Sequence, residues 1–577
     1  MHINKFIASF VLVLALAFTV SCQNEIQGAQ NAKVDTALEL SATECVLSQD
    51  NSVEDALTIS WSGIEGNPSA KTILTICTEV NDHVWTKTFT NGEESYTFTS
   101  SALNALVIDS FRIQPDKPVT LKVKVNVVAS KSWKISEDAD STYVDVSAFI
   151  PVYPEHKHIA PRYWSPYEYN FVTNKSMPED EWQRNIDWVA ENLKGYGFTM
   201  VSSDGWMNET DAFDEDGYLD RHSLSWDHDY GYWAQYLASK GMTLGVYANP
   251  LWVPSGAASA GLKIKGTDIP IESIIDRGEY RNKHNYLWVQ LDRPGAEEWV
   301  RGYVDHYAEM GVKYLRVDFM SWYEDGYDKG FGQVGPDRPD WMYPTALRWI
   351  REQCDKHGIF FSLVMPHLYN DAATEKNYAH MIRIGNDTGP GGWYMFSDRD
   401  RGIHYDHWSQ YANPFDGFIY FSRVSGRGKV ILDGDFLRLN TFANDDECKS
   451  VVSINVIAGG PVTVSDRYQT AGIRIKFYQN RELMSLVDDG FVGKPLSNDP
   501  LNEKSQIWSG ETSDGDVILA VFNREVHEKT VVVNLSDFCN FTPKSVRDIW
   551  EHKDVSVKNS YEFLIPSHGC AVYRLKK

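Results

Sequence analysis

Apolar and polar residues alternate in short runs between Leu38 and Ile150, and clusters of turn-forming residues separate the runs. The pattern predicts strands at Ala56–Trp61, Lys71–Thr78, Val84–Phe89, Tyr96–Thr99, Val119–Val128 and Thr142–Val146. Thr120-Leu-Lys-Val-Lys-Val-Asn-Val127 keeps a strict period of two, as a strand with one buried face requires. Residues 38–152 are therefore expected to form a β-sandwich of immunoglobulin type. Near Ile159 the rhythm changes. Apolar runs at Phe198–Ser203, Met242–Ala248, Tyr314–Phe319, Ile359–Met365 and Met381–Ile384 alternate with amphipathic stretches at Glu179–Leu193, Tyr230–Lys240, Ala296–Gly311, Thr345–His357 and Asp446–Ala458. Such alternation means parallel strands covered by helices. A (β/α)8 barrel over residues 153–471 is the expected form, and a doubly wound sheet is the alternative. From Gly472 strands return, at Ile507–Trp508, Asp516–Asn523, Thr530–Leu535, Val546–Ile549 and Cys570–Leu575, giving a C-terminal antiparallel β-sandwich domain over 472–577.

The length of 577 residues agrees with such a multidomain chain and excludes a single small module. Charge narrows the partners: 79 acidic against 55 basic residues leave a net charge of −24, which repels nucleic acid and anionic membrane surfaces. Aromatic residues reach 13%, with 19 Trp and 30 Tyr, and flat rings suit both sugar stacking and core packing. No GxGxxG turn or Walker loop opens a βα unit, so a dinucleotide or nucleotide cradle is absent and no cofactor is expected.

Residues 1–21 carry Lys5, an apolar run from Phe6 to Phe18 and small residues ahead of Cys22, the layout of an export signal. The run is shorter than the roughly 20 residues that span a bilayer. Thr19-Val20-Ser21-Cys22 resembles a bacterial lipobox, so the mature chain is expected to start at a lipidated Cys22, with residues 22–37 as a polar tether. The protein is then held at the cell envelope, in the periplasm or at the surface, touching membrane only through its lipid. The other cysteines, Cys45, Cys77, Cys354, Cys448, Cys539 and Cys570, lack CxxC or metal-finger spacing and are expected to be mostly buried free thiols.

Reactive groups of a barrel lie at the carboxyl ends of its strands. Three acids follow apolar runs: Asp204, Asp318 and Asp387. Cleavage of a glycosidic bond needs two carboxyls, one to act on carbon and one to protonate the leaving oxygen. Arg316 lies two residues before Asp318, on the same side of the pleat, where its guanidinium would keep that carboxylate ionised.

Tyr314-Leu-Arg-Val-Asp318 resembles the nucleophile strand of glycoside hydrolase family 27, the α-galactosidase family of clan D, and Arg383-Ile-Gly-Asn-Asp387 resembles its acid/base segment. Further matches follow in the same order: Tyr163-Trp164, Ser203-Asp204-Gly205-Trp206, Ser239-Lys-Gly-Met-Thr-Leu-Gly-Val-Tyr247, Ile431-Leu-Asp433-Gly-Asp435-Phe-Leu437, Tyr478-Gln-Asn-Arg-Glu482, and Ile507-Trp508 through Val521-Phe-Asn-Arg524. The resemblance covers residues 159–577. It implies a retaining, exo-acting hydrolase of α-galactoside-like bonds, with Asp318 as nucleophile and Asp387 as acid/base. It places Asp204, Trp206, Arg316, Arg383, Trp164, Ser203 and Met365 around the sugar. The N-terminal module is similar to the sandwich modules of bacterial glycan-uptake lipoproteins, which implies a spacer or docking role.

The pattern departs from the family at three positions that grip galactose hydroxyls: Ser203 replaces an aspartate, Arg316 a lysine, and Val364-Met365-Pro366 a Cys-Glu-Trp. A related sugar, a β-L-arabinopyranoside or another α-linked residue, is the alternative substrate of an oligo- or polysaccharide. A non-catalytic glycan-binding lipoprotein is the alternative outside enzymes. Trp252, Trp322, Tyr323, Trp393 and Tyr394 serve either stacking or packing. His156 and His158 are expected to face solvent, Asp325–Asp328 to form a solvated acidic face, and no metal is expected.

Overall fold

The computed structural model describes residues 37–48, 54–62, 71–80, 83–89, 93–111, 113, 118–128, 141–149, 156, 158–205, 212–278, 280, 286–339, 341–397 and 411–577. The export signal, Cys22 and the tether before Ala37 lie outside these residues, as does Trp206. The chain divides into two compact units, Met1–Val152 and Tyr153–Lys577.

The first unit holds two sheets. Leu38–Leu40, Asp55–Trp61 and Ser95–Thr99 pair antiparallel in one. Glu44–Val46, Ser141–Ser147, Val119–Val128, Lys71–Thr78 and Val84–Phe89 lie in that order in the other, whose first pair is parallel. Alternate residues of each strand are buried, Leu57, Ile59 and Trp61 in one sheet and Leu121, Val123 and Val125 in the other, as the period of two predicts. The sequence pattern gave no sign of the helix Ser100–Ala105, which Thr99 caps by accepting from the Ala102 N–H.

The second unit contains a closed barrel of eight parallel strands: β1 (Arg162–Trp164), β2 (Met200–Ser202), β3 (Thr243–Tyr247), β4 (Tyr314–Val317), β5 (Phe360–Leu363), β6 (Met381–Arg383), β7 (Ile431–Asp433, resuming as Phe436–Leu437) and β8 (Val462–Val464). Each pairs with the next. β7 bends at Gly434-Asp435, so its first half bonds to β6 and its second half to β8, which pairs with β1 and completes the ring. Ring closure removes the doubly wound alternative. Connecting helices Glu179–Asn192, Tyr230–Ser239, Ala296–Glu309, Met342–His357 and Asp445–Ile457 fall where the 3.6-residue period put them.

Inward residues fill the barrel in layers. Ala160, Tyr163, Met200, Tyr314, Met381 and Ile431 form the floor. Two residues further along β4, Arg316 stands above Tyr314, and two further still Asp318 reaches the mouth.

Beyond the barrel, a six-stranded antiparallel sheet and the hairpin-like pair Lys529–Asn534 and Ser560–Ile565 enclose Val517, Leu519, Val521, Val533, Val546, Phe563 and Leu575. Fully buried Arg524 ties this domain to the barrel side, donating to Asp416 Oδ1 at 2.5 Å and to Ser397 Oγ at 2.7 Å. Cys45, Cys77, Cys354, Cys448, Cys539 and Cys570 are all free thiols.

Candidate active site

Six strand ends meet at the carboxyl mouth of the barrel. Asp318 follows β4, and Phe319 after it takes a left-handed backbone, φ 62°. That turn directs the Phe319 N–H to Asp318 Oδ1 at 2.6 Å. Tyr247, the last residue of β3, donates its hydroxyl to Oδ2 at 2.8 Å, and Asn249 donates to the Asp318 carbonyl at 2.7 Å. Gly205 makes room for the Tyr247 ring, since a Cβ there would lie 2.7 Å from the phenol carbon. Burial pushes the Asp318 carboxyl above its usual range. The Tyr247 hydroxyl, the Phe319 N–H and Arg316 oppose that rise, and the charge of Asp387 adds to it.

Asp387 stands after β6 with its side chain 49% exposed. Arg383 donates to Asp387 Oδ1 at 2.9 Å and to Asp435 Oδ2 at 2.7 Å. Asp435, at the bend of β7 with φ 73°, also accepts the Thr388 N–H at 2.7 Å. Arg316 lies 3.0 Å from Asp433 and 3.7 Å from Asp435. Left-handed backbone at Phe319, Met365 and Asp435 is a strained conformation held by its surroundings, and all three positions border the mouth. Tyr167, stacked on Phe436 at 4.5 Å, feels the charges of Arg316, Asp204, Asp318 and Asp435 together, which marks it as central to this cluster.

Asp204 is buried beyond β2, 3.3 Å from His222 Nε2, and Ser203 Oγ accepts the Tyr247 N–H at 2.9 Å. The Met365 carbonyl accepts the Ser321 N–H at 2.8 Å, which laces the loop after β5 to the loop carrying Asp318. Asp204, Ser203, Arg316, Asp318, Arg383 and Asp387 thus gather at one end of the barrel.

Three sequence readings change. Trp164 is fully buried, donates to the Asp466 carbonyl and packs on Trp182, so its ring serves the core and offers no face to a sugar. Arg316, 3% exposed, is turned to Asp433 and Asp435, and its field does not outweigh the burial of Asp318. Asp328, read as part of a solvated face, is buried and accepts from Trp322 Nε1 and the Gly330 and Phe331 N–H groups. Trp252, Trp322 and Tyr323 are buried packing residues, whereas Trp393 stacks on His568 at 4.5 Å and Tyr394 is exposed. His158 faces solvent, and His156 is half-buried.

Sequence reasoning quoted Tyr247, Asp433 and Asp435 inside motifs without giving them a part, and it missed Tyr167, Asn249 and His222. Two carboxylates in the apolar run Ile431–Leu437 were the available signal for the β7 pair. The rule of strand ends would have found Tyr247. Nothing local marks His222, which lies far along a loop.

Comparison with known proteins places this geometry. A model of the alpha galactosidase C-terminal beta sandwich domain matches residues 502–575, and one of the SusE outer membrane protein matches residues 23–126. Isomalto-dextranase of Arthrobacter globiformis is 38% identical over 432 residues, 72% of this chain and 67% of that protein. The solved structure of the isomalto-dextranase of that organism with panose is 37% identical, with a TM-score of 0.69 over 73% of this chain and 74% of its own. A β-L-arabinopyranosidase of family 27 from Geobacillus stearothermophilus, 19% identical, shares the fold with a TM-score of 0.58 over 73% of this chain and 97% of its own. The chain belongs to glycoside hydrolase family 27, with a SusE-like outer-membrane lipoprotein module ahead of its barrel.

Proposed function

We propose that this chain is a retaining, exo-acting glycosidase that cleaves α-glucosidic bonds of dextran-type glycans, anchored to the envelope through lipidated Cys22. The observation that carries the reaction is that Asp318 and Asp387 follow β4 and β6 at the same mouth, one held by the Tyr247 hydroxyl and the Phe319 N–H, the other beside Arg383, with the charge of Asp387 felt at Asp318. Asp318 attacks the anomeric carbon while Asp387 gives its proton to the leaving oxygen. A water deprotonated by Asp387 then displaces Asp318 from the glycosyl-enzyme. Arg383 borders the sugar's 2-hydroxyl side, and Asp204, 3.3 Å from His222 Nε2, meets a hydroxyl at the far end of the ring.

The sugar follows from the departures. An α-galactoside pocket would use a charged grip at the positions of Ser203, Arg316 and Met365. Here a hydroxyl, a guanidinium paired inward and a thioether stand there, which removes charge-assisted bonds about twice as strong as neutral ones. The dextran-acting relative supports a glucosyl substrate instead. Product analysis on dextran and isomaltotriose, run beside nitrophenyl α-galactoside and β-L-arabinopyranoside, is expected to show release of small sugars from the first pair and at least about 100-fold lower kcat/KM on the second, a difference of about 2.7 kcal/mol in transition-state binding. Faster cleavage of either nitrophenyl glycoside would reject the glucan reading. Binding of dextran without release of reducing sugar would reject the enzyme.

Tyr247→Phe tests the electrostatics of the same site. Removing a donor to a carboxylate disfavours its charged form, so the Asp318 carboxyl should rise further. The acid limb of the kcat/KM–pH profile is expected to move to higher pH, with kcat down about tenfold at neutral pH. An unmoved limb would show that Asp318 does not govern it.

A further inference from the structure

Adjoining the mouth, the loops that leave β4 and β5 bring together a second constellation that takes no part in the proposed reaction. Glu324, Asp325 and His367 each offer one ligand atom, and these atoms lie within 4.8 Å of one another. His367 Nε2 is 3.0 Å from Asp325 Oδ2, yet it is buried and makes no aligned hydrogen bond. Two donor atoms that close and off the hydrogen-bond axis have the spacing of neighbouring ligands on one ion, since ligands about 2.1 Å from a metal at roughly 90° stand about 3 Å apart. Tyr369 donates its hydroxyl to Asp325 Oδ2 at 2.8 Å and stacks on the His367 ring at 4.8 Å, which fixes both side chains.

Glu375 supplies an independent sign. It is 1% exposed, its Oε1 accepts the Tyr343 hydroxyl at 3.0 Å, and its Oε2 is buried with no hydrogen-bond partner. Its charge acts on His367, Tyr369 and Tyr343. No lysine or arginine is ion-paired with Asp325 or Glu375 among the described residues. Asp325 keeps contact with water, but Glu375 is a carboxylate removed from water, and without a cation that carries a large desolvation cost.

A second cluster, His158, Asp355 and His380, shows what a structural group looks like by contrast. His380 Nδ1 accepts the Phe361 N–H at 2.8 Å, so its proton is on Nε2, directed to Asp355 Oδ1 at 3.1 Å. Asp355 Oδ2 takes Arg351 at 2.6 Å. Asp355 and His380 satisfy one another and their neighbours there, and His380 has no lone pair left for a metal.

We propose that Glu324, Asp325 and His367, backed by Glu375, bind a divalent transition-metal ion that staples the β4 loop carrying Asp318 to the β5 loop carrying Met365. An imidazole among carboxylates favours zinc or manganese over calcium, which takes oxygen ligands. The Ser321 N–H to Met365 carbonyl bond already joins the same two loops, and the ion fixes them further out. The site is independent of which sugar the mouth takes.

The test uses the full chain stripped with EDTA and reloaded with zinc chloride, read by elemental analysis and by Tm. One zinc per chain and a Tm rise of about 3 °C or more are expected at saturating metal. His367→Ala and Glu324→Gln should each hold less than about a tenth of that zinc and lose the Tm response, while His158→Ala keeps both. The proposal is overturned by a wild-type chain that takes up no zinc, by H367A and E324Q chains that load as well as wild type, or by zinc uptake that disappears in H158A instead.

Discussion

Asp318→Asn is expected to lower kcat on the order of 10⁴-fold or more while leaving the barrel intact. The amide cannot form the acylal bond that holds the sugar between the two displacements, and no other described carboxylate at the mouth receives both the Tyr247 hydroxyl and the Phe319 N–H. The amide oxygen can still accept one of those donors, so the β4 turn keeps its shape. Stability should hold or rise. Burial lifts the folded-state pKa of Asp318 above its ordinary value, so its stabilising contribution is present at low pH and lost as pH rises through that folded pKa. At neutral pH the ionised group is therefore a net cost to folding, and a neutral isostere removes it. Intact-mass measurement with a fluorinated or otherwise slow substrate should show a glycosyl adduct on the wild-type chain and none on the variant. Full turnover by D318N would show that another group attacks carbon.

That prediction rests on features the sequence displayed unevenly. The helices of the barrel were legible because each carries an apolar stripe over ten or more residues, as in Ala296–Glu309 and Met342–His357. The four-residue strand Tyr314–Val317 was legible as part of the mostly apolar run Tyr314–Phe319 that follows an amphipathic helix. β1 and β8 are three residues each and, unlike the equally short β2 and β6, do not lie in an apolar run that stands out from its surroundings, and β7 was visible only as a motif because its bend at Gly434-Asp435 interrupts the run. At the site, position along a strand predicted which acids come to the mouth. It did not predict what those acids touch, since partners such as His222 and Asp435 come from loops and bends remote in the chain. The pairing of Arg316 shows the limit. The period of two placed it on the Asp318 side of the strand, but only the fold shows that Asp433 and Asp435 claim its guanidinium first. Trp164 fails for a related reason, since a conspicuous aromatic beside a strand end is as useful to a barrel's packing as to its substrate.

Asp387→Ala separates the two halves of the reaction. With a natural glycan the leaving oxygen needs a proton as the bond breaks, and loss of the acid should lower kcat/KM by about 10²–10⁴-fold. A dinitrophenyl glycoside leaves without protonation, so its first step should survive and the glycosyl-enzyme on Asp318 should accumulate, seen as a burst of phenolate followed by a slow steady state. The alanine also opens space where the half-exposed carboxylate stood beside Arg383, and it removes the negative charge that would repel an anion. Azide should therefore enter, attack the anomeric carbon without needing a base, and restore release of the phenolate. Attack on the face opposite Asp318 returns the original configuration, so the product must be the α-glycosyl azide. A β-azide would mean a single displacement, with Asp387 protonating the leaving oxygen and Asp318 serving as base to water on the opposite face of the ring. An unrescued variant with no burst would instead remove Asp387 from the leaving-group side of the bond.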